Sequence, residues 1–220
     1  MHIPDGFLDF KICLITYILT IVFWFFSFKK AKEVLSDKQV PLMATLTAMF
    51  FAAQMMNYPI IGGTTAHLLG GPILAITLGP YGGVISMSVI LIIQALVFGD
   101  GGLTTLGANI WNMGIVGTFI PYLIWFLFPK NKKGMIAGAF LGAFIGDILA
   151  AVSAGLELGF STKFLYGISI AVPAMTLHHS IIGFGEGIVT CVIITILSKY
   201  RPDLLKLQKI APTWLSKFEG

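Results

Sequence analysis

Charged residues are scarce in this chain of 220 residues, and their scarcity limits the kind of protein it can be. They make up 11% of the sequence, whereas soluble domains carry about 25%. Apolar residues account for 56% even before the 25 glycines are counted, and the mean hydropathy is +0.90. A soluble fold of this size could not keep so much apolar surface from water. The composition therefore predicts an integral membrane protein with one transmembrane domain over residues 1–220.

Several kinds of chemistry also lack the residues they need. Cys13 and Cys191 both fall in apolar runs, which is typical of small buried side chains rather than of a disulfide or a metal site. The sequence contains neither the phosphate-binding pattern Gly-x-x-x-x-Gly-Lys-Ser/Thr nor the protease motif His-Glu-x-x-His. No nucleophile can be paired with a base. The net charge of +4 is small and scattered. We therefore expect no enzyme, no bound nucleotide and no nucleic-acid partner.

Long apolar runs predict an all-α bundle of about seven transmembrane helices. A spanning helix needs about 20 apolar residues. The qualifying segments are 10–28, 41–57, 65–79, 81–98, 105–128, 134–155 and 177–198. The third is short and broken by glycine, a pattern typical of a helix that does not cross straight. Glycines four residues apart at 134, 138, 142 and 146 predict close helix packing or a groove for a docking partner.

Basic residues predict the orientation of these helices. With seven spans, twelve of the fourteen basic residues lie on one side, after the first, fifth and last spans, and only Lys11 and Lys163 lie opposite. The positive-inside rule places the side with the clusters in the cytoplasm. The tail 199–220 is then cytoplasmic and the N-terminus lies outside. An eighth span within 160–178 would place the C-terminal cluster of basic residues on the outer side of the membrane. We therefore expect this stretch at the outer surface or as an extension of the last helix. The clusters are Lys29, Lys30, Lys32 and Lys38; Lys130, Lys132 and Lys133; and Lys199, Arg201, Lys206, Lys209 and Lys217.

Only four histidines occur, and one of them is the second residue. The start has Asp5 and Asp9 and lacks the basic residues of a cleavable signal, so the mature chain is expected to begin at residue 1 or 2. A bulky second residue such as His2 favours retention of Met1. The Met1 amine and the His2 amide would close a five-membered ring on a metal, and that amide with His2 Nδ1 a six-membered ring.

His67 is the obvious donor of a fourth in-plane nitrogen, because the predicted topology places it on the same side as the N-terminus. Four nitrogens in a plane suit Ni²⁺ or Cu²⁺, whereas Zn²⁺ prefers a tetrahedron and Co²⁺ needs more accommodation. Taken singly, His2 could be a solvated terminal residue and His67 could bond a backbone carbonyl. The glycine-rich flanks of His67, at 62–63 and 70–71, favour the metal interpretation because they allow close backbone approach.

Three further polar residues are predicted on the outer side. Asp5 and Asp100 could attract cations and hydrogen-bond a metal-bound imidazole. Loop solvation or helix capping is the alternative for both. Asn109 lies one turn before Asn112 and could bond the N-terminal segment. Together they form a candidate second shell around the metal.

The remaining ionisable residues lie in or near the last two spans. His178 and His179 are adjacent, so their side chains point about 100° apart on a helix and cannot easily bind one ion. Either is a candidate second-shell group, with structural polar packing as the alternative. Asp147 and Glu186 lie within spans, where a charge costs about 2.5–3.5 kcal/mol at mid-membrane. Each should face the bundle interior or be neutral.

Several motifs resemble one family along essentially the whole chain. The opening Met-His-Ile-Pro-Asp-Gly-Phe-Leu, the glycine-flanked His67 segment, the stretch 98–102 and the stretch 106–109 closely resemble CbiM/NikM proteins. These are the cobalt- and nickel-specific substrate-binding (S) components of energy-coupling factor (ECF) transporters. The resemblance implies that residues 1–9 fold into a metal pocket with Met1, His2 and His67 as ligands.

The resemblance also implies a setting. The protein would lie in a prokaryotic inner or plasma membrane and import Ni²⁺ or Co²⁺ with a membrane coupling (T) protein and two ATP-binding-cassette ATPases. A small accessory membrane subunit, where one is used, would be a separate chain. The sequence does not choose between nickel and cobalt. A stand-alone divalent metal permease is the alternative, and Asp147, Glu186 and the amides would have to line its path.

Overall fold

The computed structural model describes residues 1–34, 39–129 and 131–206 and is mostly helical. Its long helices follow the apolar runs, because a helix satisfies its own backbone groups in lipid. Two π-helical stretches, Gln94–Phe98 and Ile110–Val116, continue α3 and join α4 to α5. The helices are α1 Phe10–Val34, α2 Val40–Gln54, α3 Gly71–Ile93, α4 Leu106–Asn109, α5 Gly117–Leu127, α6 Lys132–Phe160, α7 Ile168–Tyr200 and α8 Pro202–Lys206.

The predicted multi-pass membrane fold is confirmed. Within the described ranges, five helices are long and apolar enough to cross a membrane by length and composition, and α2, with 15 residues, is a shorter apolar helix. α7 begins at Ile168, so most of the stretch 160–178 extends the last helix, as expected. The five long helices are Phe10–Glu33, Gly71–Phe98, Leu106–Leu127, Lys132–Phe160 and Ile168–Tyr200, of which Gly71–Phe98 is interrupted by the non-helical residue Gly79.

α3 folds back on itself at Gly79, which has φ 75° and ψ 162°. A Cβ built on Gly83 would lie 3.1 Å from the backbone nitrogen of Ala75. Eight residues of straight helix would separate these positions by about 12 Å. The arms 71–78 and 80–93 therefore pack against each other, and the third and fourth predicted segments are separate helices.

The predicted helix over 65–79 starts later than expected. Its first residues form the strand β2 Thr65–Ala66, which pairs antiparallel with β1 Tyr58–Pro59, and helix begins only at Gly71. The remaining arm is about 12 Å long, too short to cross about 30 Å of hydrocarbon. The shortening leaves residues 55–70 as a loop, and this loop carries His67.

The row of glycines on α6 packs inside the chain. A Cβ on Gly142 would lie 2.6 Å from the carbonyl oxygen of Pro121, and a Cβ on Gly138 would lie 2.9 Å from Cβ of Phe128. The glycines therefore let α6 approach α5 closely, as the four-residue spacing predicted. This packing corrects the alternative interpretation, in which the row was an open groove for a partner.

The two ends of the bundle differ in composition. Residues 1–9 meet the loops 55–70, 99–105 and 161–167 at one end, through hydrogen bonds such as that from Thr162 N to Asp9 Oδ2, 2.7 Å. At the other end Leu205 of α8 shares a buried cluster with Ile76, at the tip of the short arm. The basic residues near that second end are Lys29, Lys30, Lys32, Lys132, Lys133, Lys199 and Arg201. This separation is what the predicted orientation requires.

Candidate metal centre

The first three residues lie inside the protein. Met1 and Ile3 are 0% exposed and His2 is 1% exposed. Asn109 holds this segment at Ile3: its Oδ1 accepts from the Ile3 amide (2.8 Å) and its Nδ2 donates to the Ile3 carbonyl (3.1 Å). The amide of Gly102 also donates to that carbonyl (2.9 Å). Asn109 thus bonds the N-terminal segment as the sequence suggested, and it does so through backbone rather than through an imidazole.

Asp5 holds the next part of the segment to the loop 99–105. Its carboxylate accepts from the amides of Leu103 (3.1 Å) and Thr104 (2.7 Å) and from the hydroxyl of Thr104 (2.5 Å). The Thr104 hydroxyl is the largest cause of a lowered pKa at Asp5, because these bonds favour the ionised form. The geometry corresponds to the loop-capping alternative for Asp5, with no contact to either ring of the candidate centre.

The Met1 amine is enclosed beside Thr65. It donates to the Thr65 carbonyl and to Thr65 Oγ1 (3.0 Å), and the His2 amide also donates to Oγ1 (3.1 Å). Burial lowers the pKa of the amine from 8.0 to about 4, since a buried ammonium loses its hydration. The amine is then neutral near neutral pH. A neutral amine has a free lone pair, which a metal ligand requires.

The rings of His2 and His67 stack in this pocket. Their centroids are 4.6 Å apart with 29° between the planes. Burial lowers the pKa of His2 to about 3 and the pKa of His67 well below its usual value, so both rings are neutral. His67 Nδ1 lies 3.0 Å from the Leu68 carbonyl, which can only accept, so Nδ1 carries the hydrogen. His67 Nε2 is left with its lone pair.

Two ring nitrogens in the pocket are left without a hydrogen-bond partner. His2 Nε2 lies 2.9 Å from Gln94 Oε1, but His2 Nδ1 and His67 Nε2 have no partner among the described residues. Asp100 Oδ1 is 3.4 Å from His2 Nδ1, and its other oxygen accepts from Asn57 Nδ2 (2.9 Å). Partial burial raises the pKa of Asp100. Unpartnered buried nitrogens are costly unless a ligand uses them.

The adjacent histidines of α7 point to different partners, as their angular separation predicted. His178 Nδ1 lies 3.4 Å from the hydroxyl of Tyr58, towards the surface. His179 is buried, with Nδ1 3.1 Å from Asp147 Oδ1 and Nε2 3.4 Å from the Thr65 carbonyl. His179 therefore reaches the pocket beside Thr65, whereas His178 lies towards Tyr58.

Glu186 and Asp147 are fully buried and face the bundle interior, as expected. The Glu186 carboxylate accepts from the amides of Leu69 (2.9 Å) and Gly70 (2.6 Å), directly after the His67 turn. It thus fixes the loop that carries His67. The charge of Glu186 within a predicted span marks it as a residue of interest in the sequence. No local pattern indicates that it bonds the amides of Leu69 and Gly70.

The described residues contain no cluster of three or more His, Cys, Asp or Glu side chains with metal-binding geometry. The nitrogens that converge at the N-terminus are of other kinds: an amine, a backbone amide and two rings. Such a set is compatible with a soft or borderline divalent ion that prefers nitrogen, and it contains no carboxylate for Ca²⁺ or Mg²⁺. The fold and this pocket together define a multi-pass membrane protein that encloses a small site at the end of its bundle.

The chain belongs to the CbiM family, described as the cobalt uptake substrate-specific transmembrane region, whose model matches residues 2–204. A fused nickel transport protein of Rhodobacter capsulatus, NikMN, is 38% identical over 223 residues, which cover 93% of this chain and 64% of that protein. The cobalt transport protein CbiM of Thermosipho melanesiensis is 32% identical over 210 residues, 93% of this chain and 89% of its own.

Solved structures agree with the sequence comparisons. The crystal structure of a truncated transition metal transporter aligns with a TM-score of 0.87 at 36% identity, covering 91% of this chain and 99% of that one. The resemblance found in the motifs is therefore confirmed. The protein is a multi-pass membrane protein of a prokaryote and acts in metal transport rather than as an enzyme.

Proposed function

We propose that this chain is the substrate-specificity component of an ECF-type nickel or cobalt importer. It captures the ion with the Met1 amine, the His2 amide, His2 Nδ1 and a nitrogen of His67. The observation that carries the proposal is the pair of unpartnered ring nitrogens beside a buried amine. Names of relatives that include nickel and cobalt transport support the choice of ion.

Chelation would replace the contacts that Thr65 now makes. The Met1 amine and the His2 amide both donate hydrogen bonds to Thr65. Metal binding requires the amide to lose its proton and the amine to turn its lone pair to the ion. Two fused chelate rings and a fourth nitrogen give a planar donor set, which favours Ni²⁺ over Zn²⁺. A titration of the purified protein with Ni²⁺ and Co²⁺ measures this preference directly.

The partners follow from the family resemblance and from what the sequence lacks. Tight chelation slows release, so a change of state that binds the ion more weakly must drive it. The sequence has no phosphate-binding motif that could couple this change to ATP. A membrane coupling protein and two ATPases would supply the work, with a small accessory membrane subunit in systems that use one.

Transport in liposomes separates this role from that of a self-sufficient permease. We expect the purified chain to bind metal but to accumulate little, and addition of the coupling protein and ATPases with ATP to restore uptake. A variant lacking His67 serves as the matched control for binding-dependent flux. Robust accumulation by this chain alone, without ATP, would reject the S-component assignment.

A further inference from the structure

A chain of three hydrogen bonds connects the candidate ligand His2 to the backbone of the His67 loop. His2 Nε2 lies 2.9 Å from Gln94 Oε1. Gln94 Nε2 donates to Gln54 Oε1 (3.2 Å), and Gln54 Nε2 donates to the carbonyl of Leu69 (2.7 Å). Both glutamines are 0% exposed.

The direction of every bond in the chain is set at the Leu69 end. A backbone carbonyl has no hydrogen, so Gln54 must turn its amino group towards it. Gln54 Nε2 also lies 3.1 Å from Met87 Sδ, a weak acceptor, which is consistent with that orientation. Gln54 Oε1 is then an acceptor, and Gln94 must present its own amino group to it.

The last bond fixes a proton on the imidazole. Since the amino group of Gln94 is used by Gln54, its remaining atom Oε1 can only accept. His2 Nε2 must therefore carry the hydrogen, and in a neutral ring the other nitrogen, Nδ1, then has the lone pair. Nδ1 is the nitrogen that closes a six-membered ring with the His2 amide, whereas Nε2 cannot reach that geometry.

We propose that Gln94 and Gln54 are positioning residues that hold His2 as the tautomer with its proton on Nε2. Their function is to present Nδ1 to the metal before it arrives. The inference about the tautomer stands on the hydrogen-bond chain, and its meaning for metal capture rests on the proposed function.

Asp100 would favour the opposite tautomer of His2 if the glutamines were absent. Asp100 Oδ1 is 3.4 Å from His2 Nδ1. Without an acceptor at Nε2, a proton on Nδ1 would face this carboxylate and would be the favoured arrangement. That tautomer blocks the chelating nitrogen. The glutamine chain therefore opposes Asp100, and removal of Gln94 should change the tautomer rather than only loosen the ring.

Nitrogen NMR of the metal-free protein labelled at histidine nitrogen tests the inference directly. In the native protein we expect His2 Nε2 to be protonated and Nδ1 bare. Gln94→Met keeps the side-chain length but removes the acceptor, and should move the proton to Nδ1 in a large share of molecules. Gln94→Glu offers an accepting oxygen in either protonation state and should retain the native tautomer.

Two further variants separate positioning from packing. Gln54→Met leaves Gln94 in place but free to rotate, so a mixture of tautomers is expected. Ser88→Ala removes a buried hydroxyl on the same helix that bonds Trp24 and the Val84 carbonyl, and should leave His2 unchanged. A purely structural role would make the buried carboxylate of Gln94→Glu more harmful than Gln94→Met, which is the reverse of our expectation.

Nickel affinity gives the second readout. Loss of an outer-shell partner typically weakens metal binding ~10–100-fold, so Gln94→Met should fall in that range and Gln94→Glu should stay within a few-fold of the native protein. A native His2 protonated on Nδ1, or a tautomer unchanged in Gln94→Met, overturns the inference. The two readouts can also disagree. If His2 has the expected tautomer but the protein binds no nickel through its N-terminus, the hydrogen-bond chain is supported and the proposed function is rejected.

Discussion

Adding a single glycine before Met1 is the sharpest perturbation of the proposed centre. It changes no side chain and leaves His2 and His67 in the sequence. It converts the primary amine into a backbone amide and moves the free amine one residue away. The five-membered ring between the Met1 nitrogen and the His2 amide would then need a second deprotonated amide.

The structure also predicts a steric cost. Met1 is 0% exposed and belongs to the main buried cluster, and its nitrogen is enclosed against Thr65. An added residue has to push Met1 out of its buried position. Exposing an apolar side chain such as Met1 costs about 1.5–3 kcal/mol. This cost alone would weaken nickel binding by about 10- to 100-fold. With one ligand removed as well, we expect nickel binding to weaken by more than ~100-fold, since outer-shell losses already cost ~10–100-fold.

The assay is a competition titration with Ni²⁺ on three forms of the protein, all purified through the same C-terminal tag. The native N-terminus should bind tightly and the glycine-extended form weakly. A form made with a removable leader, cleaved to leave Met1 first, should recover full affinity. Circular dichroism of the metal-free forms checks that the bundle is intact. Equal nickel affinity in the extended and native forms would refute the chelate.

Other changes test the surroundings of the centre. His67→Ala should weaken nickel binding at least ~10-fold and shift its absorption bands, because an oxygen donor replaces a ring nitrogen; an unchanged spectrum would place the fourth ligand elsewhere. Glu186→Gln leaves one backbone amide facing an amino group and should lower the free energy of unfolding by ~1–3 kcal/mol. Equal thermal stability of the two proteins would contradict the role of Glu186 in fixing the loop that carries His67. Asp5 has a lowered pKa in the folded protein, so its stabilisation is present above its unfolded pKa of 3.8 and is lost as pH falls through the folded value. Asp5→Asn should therefore lessen the loss of stability below pH ~4, measured by thermal unfolding across pH; a native-like acid profile would contradict this.

The helices could be read from the sequence because the signal for a membrane helix is strong and local. Long apolar runs placed every major helix, and the Gly79-Pro80 pair correctly separated two segments that pack as a hairpin. The beginning of α3 could not be placed. Residues 65–70 lead directly into the apolar arm of α3, but the Glu186 carboxylate, on a distant helix, accepts from the amides of Leu69 and Gly70. This tertiary contact overrides the local pattern.

The candidate site was only half visible in the sequence. A histidine in second position and a glycine-flanked histidine have recognisable chemistry, so Met1, His2 and His67 could be proposed from their residue types. Thr65 and Gln94 could not, because a threonine or a glutamine has no distinctive spacing and its role depends on which atoms fold against it. The sequence offered Asp100 either as a hydrogen-bond partner of a metal-bound imidazole or as a loop residue, and only the folded structure shows that its Oδ1 lies 3.4 Å from His2 Nδ1.

The way the centre is held has a consequence for release of the ion. The N-terminal segment is anchored at Ile3 by Asn109, and this anchor involves no atom of the loop 55–70. The loop 55–70 contributes three groups to the centre. Thr65 bonds the Met1 amine, His67 stacks on His2, and the Leu69 carbonyl sets the direction of the hydrogen bonds through Gln54 and Gln94. A displacement of the loop by a partner would remove one ligand and release the His2 tautomer in the same movement. Since only a state with lower affinity for the ion can drive release, the loop 55–70 is the element whose movement would weaken the proposed centre most.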